Sequence, residues 1–240
     1  MSIEKLKKWI QNSDNIVFFG GAGVSTESGI PDFRGEEGIF KTISEYGVRP
    51  ETILSHSFFV RNQEIFFEYY KNHLLYPDAK PNAAHYALAE LERRGKLRAV
   101  ITQNIDDLHQ RAGSKNVLEL HGTLYRNYCI KCGAEYGLEY VQNSKGVTKC
   151  EKCSGIVRPD VVLYEESLDE EVMSKAVEYI SRTDVLIVGG TSLNVYPAAG
   201  LINYYRGKKL VLINKSTTSF DGRADLCLHM NIGDVFKEII

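Results

Sequence analysis

FFGGAGVSTESGIPDFRG, residues 18–35, passes from two phenylalanines into Gly20, Gly21 and Gly23 and ends in Pro31, Asp32, Phe33 and Arg34. With Ile16 and Val17 before it, the stretch opens as a buried parallel strand, because a short run apolar on both faces suits a strand covered on both sides. Glycines directly after such a strand let backbone N–H groups approach a diphosphate at a helix N-terminus. The dinucleotide pattern G-x-G-x-x-G is met only in part. Gly21 and Gly23 fit, Thr26 stands where the third glycine belongs, and no clear second strand with an acidic end follows about 20 residues on. The loop alone therefore points to a dinucleotide but not to hydride chemistry, with a plain glycine turn as the alternative. The rapid arrival of Pro31, Asp32, Phe33 and Arg34 does not suit the regular helix that should follow such a loop.

Outward from this loop, strands and helices alternate. The spacing of Ile3, Leu6 and Ile10 predicts a helix over the first dozen residues. Strands are expected at 15–19, 97–102, 116–120, 184–188 and 209–213, and helices at 57–75, 81–91, 106–111, 168–180, 197–205 and after Gly233. That order implies an α/β fold, a Rossmann-like doubly wound parallel sheet. Two stretches break the rhythm: residues 36–79, helical and aromatic, and residues 124–159, loop-like and cysteine-paired. They are expected as insertions forming a smaller zinc-binding domain, leaving 1–35, 80–123 and 160–240 as the nucleotide-binding domain.

The 240 residues, 43% hydrophobic and 25% charged, can bury a sizeable core. A net charge of −2 advertises neither nucleic acid nor an anionic membrane as a partner. The longest apolar runs fall far short of a bilayer span. The N-terminus carries Glu4, Lys5, Lys7 and Lys8 without a long apolar segment behind them, unlike a secretory signal, so a cytoplasmic location is expected.

Four of the five cysteines form two C-x-x-C pairs, Cys129/Cys132 and Cys150/Cys153, separated by 17 residues. Without a secretory signal this reads as a metal site rather than a disulfide framework. Two tight turns can close four thiolates around one zinc ion, leaving no position for a reactive water, so the site is structural. The alternative, two redox dithiols, has no thioredoxin-like support elsewhere in the chain. Cys227 is expected as a small apolar residue near a strand.

GAGVSTESGIPDFR (21–34), TQNIDDLH (102–109), LHG (120–122), the four cysteines, GTSLNVYPAA (190–199) and LVLIN (210–214) follow one another in that order. Together they resemble the sirtuins, NAD-dependent protein lysine deacylases, and the stretches ILSHSFF and YPDAKPNAAH resemble the bacterial deacetylase branch. The resemblance covers essentially the whole chain. It implies that the segment after Gly23 folds over NAD, and that NAD and an acyl-lysine meet in the cleft between a large and a small domain.

By that resemblance, Ala22, Thr26 and Arg34 contact NAD, with the Arg34 guanidinium suited to the diphosphate, and Phe33 covers the nicotinamide ribose. Gln103, Asn104, Ile105 and Asp106 follow a predicted strand. Ile105 and Asp106 would hold the nicotinamide carboxamide, and Asn104 the ribose hydroxyls or a water. Plain alternatives are an ion pair of Arg34 with Asp32 or Glu36, a core role for Phe33, and a helix cap for Asp106. His121 matches the catalytic base, in the LHG motif alone; His56, His73, His85, His109 and His229 are expected to be structural. Thr191, Ser192 and Asn214 match positions at the adenosine ribose and phosphates, with Lys215 and Asp234 beside them.

Val161, Val162, Leu163 and Tyr164 match the segment that receives the substrate peptide as an added strand, with Asn194 and Val195 as the opposite edge. Many relatives place glycine then glutamate after that segment; this chain has Glu165-Glu166. The pair is expected to reshape the loop, add negative charge and favour basic residues beside the acyl-lysine. Relatives that remove succinyl groups carry Tyr-x-x-Arg on the aromatic helix. Here Asn72 follows Tyr69, and His73 follows Tyr70, at that interval, so a neutral acyl group is expected. The implied reaction yields nicotinamide, lysine and O-acyl-ADP-ribose, with His121 as general base and the zinc outside the chemistry. The expected partners are acetylated lysine-containing proteins or peptides, and the protein is expected to be a monomer.

Overall fold

The structure, a computed structural model, describes residues 2–32 and 42–240. Among them are nine strands: β1 (Ile16–Gly20), β2 (Leu97–Thr102), β3 (Val117–Glu119), β4 (Gly122–Cys129), β5 (Glu135–Gly137), β6 (Val157–Val161), β7 (Val185–Gly189), β8 (Leu210–Ile213) and β9 (Leu226–Leu228). Six make a parallel sheet in the order β3-β2-β1-β7-β8-β9. β1 is buried along its whole length because alternate residues feed two cores. Ile16 and Phe18 pack with the helices Ser2–Gln11, Ala83–Arg93 and Ile232–Ile239. Val17 and Phe19 pack with the helix Glu170–Arg182 and the 3-10 turns of Ala198–Tyr204. This two-sided cover is why the run lacks a polar alternation.

The chain runs β1, β2, β3 to one side and then returns to place β7 on the other side of β1. Gly20 lies level with Thr102 on one flank and Gly189 on the other, so three strands end together at the point where sheet order reverses. A crevice opens there, as in other doubly wound sheets.

The segment expected to be loop-like, 124–159, instead contributes to a second, antiparallel sheet in the order β5-β4-β6, and Leu138–Asn143 is helical. β4 hides from sequence reading because its ladder is irregular between Thr123 and Asn127 and because it begins at a glycine. The aromatic helix expected at 57–75 is broken. Ser55 Oγ accepts the N–H of Phe58 to cap His56–Arg61, Asn62 leaves helical geometry, and the chain resumes as Gln63–Tyr69 and a wide turn, Tyr70–Leu74. Phe59, Phe66, Phe67 and Tyr70 pack on Leu124, Cys129, Val141 and Val157, a third core that unites the aromatic stretch with the cysteine region. β9, absent from the sequence reading, closes one edge of the large sheet and holds Cys227, half-buried. No described helix is long and apolar enough to cross a membrane.

Candidate active site and metal centre

The three loops leaving β1, β2 and β7 are tied to one another by main chain. Gly21 N–H donates to Gly189 O (3.2 Å), Gly23 N–H to Gly190 O (2.8 Å) and Gln103 N–H to Gly20 O (3.0 Å). A Cβ on Gly23 would stand 2.8 Å from Gly190 Cα, so glycine there serves loop-to-loop contact. Side chains continue the network. Asn104 Nδ2 donates to Ser25 Oγ (3.0 Å), and Ser25 Oγ donates to Asp106 Oδ2 (2.6 Å). Asp106 Oδ1 accepts the N–H of Leu108 (3.0 Å), so the carboxylate opens the helix Leu108–Ala112 while facing the cavity. Burial pushes the Asp106 carboxyl pKa up, against the lowering effect of the Ser25 hydroxyl and the Leu108 N–H. Gln103 Nε2 donates to Thr191 Oγ1 (3.1 Å), which couples the β2 and β7 loops.

Two residues here, Ser25 and Asn82, lie within the quoted motifs, but the sequence assigned them no role. Ser25 is 1% exposed and sits between Asn104 and Asp106. Asn82 Nδ2 donates to Val24 O (2.7 Å) and Ser28 Oγ (3.0 Å), while its Oδ1 accepts the N–H of Ala84. An asparagine before an alanine-rich helical run is a recognisable cap; its grip on the glycine loop is visible only in three dimensions.

His121 lies in the turn between β3 and β4. Its Nδ1 stands 3.0 Å from Gln103 O. A carbonyl only accepts, so Nδ1 carries the proton and Nε2 is the basic nitrogen of the ring. His121 O in turn accepts the N–H of Val162 (3.0 Å). The histidine is thus held by the loop of one sheet and by the segment that prolongs the other.

One cavity of about 320 Å³ joins these parts. Its wall includes Ala22, Gln103, Asn104, Ile105, Asp106, His121, Thr191 and Ser192 on the side of the large sheet, and Val161, Val162, Leu163, Tyr164 and Val195 toward the second. Thr26, Asn194, Asn214, Lys215 and Asp234 are not part of that wall. Thr26 Oγ1 donates to Gly23 O, Asn214 Nδ2 to Ser216 O, and Asp234 accepts from Asn231 and Lys237. Phe33 and Arg34 lie outside the described residues. No lysine or arginine stands among the described residues of the wall, whereas Asp32, Glu51, Asp106, Glu165 and Glu166 do.

The Glu165-Glu166 pair adds less free charge than expected. Glu165 takes the left-handed backbone (φ 74°) that glycine would occupy without strain. Its carboxylate accepts the N–H and hydroxyl of Ser57 at 2.9 and 3.0 Å. Glu166 accepts both Arg158 guanidinium nitrogens (2.6 and 3.0 Å) and lies 2.8 Å from His56 Nδ1. Of the two carboxylates only Glu166 is neutralised by a cation; Glu165 is exposed and bonded to the neutral Ser57, so the expected preference for basic flanking residues has Glu165 alone as its electrostatic ground. His73 stacks on Tyr69 and meets Tyr46 Oη (3.2 Å) and Glu45 (3.4 Å), away from the cavity wall. His85 and His109 are buried with ring centroids 4.7 Å apart.

The four cysteine sulfurs lie within 4.8 Å of one another. Cys129 and Cys153 are 3.5 Å apart, and Cys132 and Cys150 3.6 Å. Four thiolates at ~2.3 Å from one zinc ion would stand about 3.8 Å apart, so the donor set and spacing fit tetrahedral zinc and not a disulfide. Tyr136 Oη accepts the N–H of Glu151 (3.1 Å) and donates to Cys150 Sγ (3.0 Å). That hydroxyl is the main reason the Cys150 thiol falls to about 6.

The sequence pattern of the Sir2 family matches residues 21–197. An NAD-dependent protein deacetylase of Clostridium perfringens is 61% identical over 99% of this chain and 98% of its own. One of Clostridium acetobutylicum is 58% identical over the same shares. A solved Sir2 structure with a p53 peptide and NAD+ superposes with a TM-score of 0.88 at 38% identity, covering 100% of this chain and 97% of the other. A Sir2 variant with deacetylated p53 peptide and 3′-O-acetyl ADP-ribose reaches 0.90 at 39% identity, with the same coverage.

Proposed function

The chain belongs to the Sir2 family, and we propose that it acts as an NAD-dependent protein lysine deacetylase, turning acetyl-lysine and NAD into lysine, nicotinamide and O-acetyl-ADP-ribose. The observation that carries this reading is His121: its Nδ1 proton is committed to Gln103 O, and the residue lines a cavity shared by the glycine loop and the Val161–Tyr164 segment.

NAD bound in that cavity supplies a ribose carbon carrying nicotinamide, a good leaving group once its carboxamide is held. The chain's own groups then divide the work. Gly21 and Ala22 line the cavity where a diphosphate fits. Ile105 main chain and the Asp106 carboxyl hold the carboxamide, with Asp106 kept in place by Ser25 and Leu108. Asn104, anchored on Ser25, orients ribose hydroxyls or a water. His121 Nε2 accepts a proton from a ribose hydroxyl, assistance worth about 10²–10⁴-fold. Thr191 and Ser192 take the ribose and phosphate on the far side, and Thr26, Asn214, Lys215 and Asp234 extend this toward the adenine. Phe33 and Arg34 complete the cofactor loop as cover and diphosphate partner. Val161–Tyr164 and Asn194–Val195 flank the acyl-lysine peptide.

Cys129, Cys132, Cys150 and Cys153 hold the structural zinc, whose four thiolates leave no position for an activated water. The division into a large unit (1–35, 80–123, 160–240) and a small one (36–79, 124–159) belongs to the same reading; the separate third core supports it. A neutral acyl group is favoured by the acidic, lysine- and arginine-free described wall. We take the protein as a cytoplasmic monomer acting on acetylated proteins, without nucleic-acid or membrane partners.

The test incubates the protein with NAD and acetyl-, butyryl- and succinyl-lysine peptides and identifies products by mass spectrometry. Free O-acetyl-ADP-ribose is expected. ADP-ribose attached to protein instead would replace this reading with a transferase. His121→Ala should lose about 10²–10⁴-fold in kcat with an unchanged unfolding midpoint.

A further inference from the structure

The segment after β6 is held from the side remote from His121. Arg158 sits on β6 with a side chain only 7% exposed, its guanidinium carbon 5.2 Å from the Phe59 ring centroid. Its Nη2 donates to Val161 O (2.8 Å), and its two terminal nitrogens straddle the Glu166 carboxylate. Glu166 Oε2 also accepts the N–H of Leu163 (2.8 Å). Residues 161 and 163 of an extended chain direct their peptide groups to one side and residue 162 to the other. The Arg158–Glu166 pair therefore satisfies the two peptide groups flanking Val162, whose own N–H goes to His121 O. Beyond it, Tyr164 N–H donates to Leu54 O and Tyr164 O accepts the N–H of His56, both at 2.9 Å. Glu165 bonds Ser57 in the first turn of the helix His56–Arg61.

We propose that Arg158 and Glu166 are positioning residues for the deacylation reaction: they lock residues 161–164 into the extended form that receives the acyl-lysine peptide, and they tie that form to the helix His56–Arg61. The inference rests on the reading of Val161–Tyr164 as the peptide-receiving segment. A loose segment of this kind would have to order its backbone when peptide binds, and that cost would appear in peptide affinity. The lock places it in the fold instead. Burial pushes the Glu166 carboxyl up, but Arg158, His56 and the Leu163 N–H together hold it at about 2, so the carboxylate is ionised at neutral pH. The same anchoring explains how Glu165 is tolerated with φ at 74°: its two bonds to Ser57 stabilise a backbone that costs a non-glycine residue about 1–2 kcal/mol.

The experiment compares the full chain, loaded with zinc, with its Glu166→Gln and Arg158→Lys variants. KM for an acetyl-lysine peptide and KM for NAD are measured separately, and amide hydrogen exchange is followed over 161–166 without peptide. Both variants should raise the peptide KM about ten-fold, leave the NAD KM within about two-fold, and speed exchange in that segment at least ten-fold. An unchanged peptide KM, or peptide and NAD KM rising together, overturns the proposal. Glutamine retains the volume of Glu166, and lysine retains the buried charge of Arg158. Should one variant fail to fold, the other decides by the same criterion. Failure of the deacetylase reading itself is distinct, since the unaltered protein would then release no nicotinamide with any peptide.

Discussion

Gly122→Ala tests how closely the catalytic turn is built. Gly122 follows His121 with φ at +73°, and a Cβ there would stand 1.9 Å from Asp160 O on the facing strand β6. Ordinary contact begins at 3.4 Å, so β4 and β6 must part by about 1.5 Å at this point or the turn must rotate. The left-handed backbone costs alanine about 1–2 kcal/mol, and forcing the contact about 1–3 kcal/mol more. At about 2–4 °C per kcal/mol for a chain of this size, the unfolding midpoint should fall by ~5–15 °C. Displacement of His121 by about 1 Å should lower kcat/KM by about 10²-fold in the folded fraction. Gly95→Ala is the control. Gly95 has φ +74° with nothing within 4 Å of an added Cβ, so it meets only the backbone cost. Calorimetry and nicotinamide release on both variants separate the two effects. If Gly122→Ala melts within about 1 °C of Gly95→Ala and keeps its activity, strand contact at the turn does not position His121.

Three further outcomes are expected. Cys129→Ala should lose its zinc by metal analysis and about 3 kcal/mol or more of stability, ~10 °C in midpoint, because metal binding is coupled to folding. Burial holds His85 at about 4, against an ordinary 6.5, and burial together with the neighbouring His85 drives His109 well below its ordinary value. Their neutral forms confer full stability above about pH 6.5, and that stability drains away as the pH falls toward 4, since the unfolded chain takes up protons first. Asp106, raised by burial, and Asp107, raised by burial and Glu119 to about 6, oppose this in part, Asp107 discounted for its exposure. Urea unfolding should therefore show a net loss of about 2 kcal/mol between pH 7 and pH 5; a flat profile would contradict it. Succinyl-lysine peptide should react at least ~100-fold less efficiently than acetyl-lysine peptide, the rate equivalent of about 2.7 kcal/mol for a carboxylate brought unpaired into an acidic wall. Equal rates would show that a cation outside the described wall receives it.

Much of this protein can be read along the chain where the physics is local. The all-apolar run at 16–19 suits a strand covered on both sides, Leu210–Ile213 repeats it, and Leu97–Thr102 departs from it only at the exposed Arg98 and the terminal Thr102, so the parallel sheet is legible in the sequence. Paired C-x-x-C turns specify a four-sulfur site because two close sulfurs per turn are a property of short spacing. LHG and QNID stand at strand ends, where doubly wound sheets bind ligands. Tertiary contact alone decided the rest. The second sheet depends on β4 pairing with β6, some 30 residues away in sequence, through a ladder too irregular to show a period. Ser25 and Asn82 acquire their roles only when three loops converge. Glu165 and Glu166 read as loose negative charge in the sequence. Folding pairs Glu166 with Arg158 and His56 and leaves Glu165 charged but hydrogen-bonded to Ser57, because the Coulomb energy of a carboxylate depends on which cation the fold brings within 3 Å, and sequence spacing carries no record of that distance.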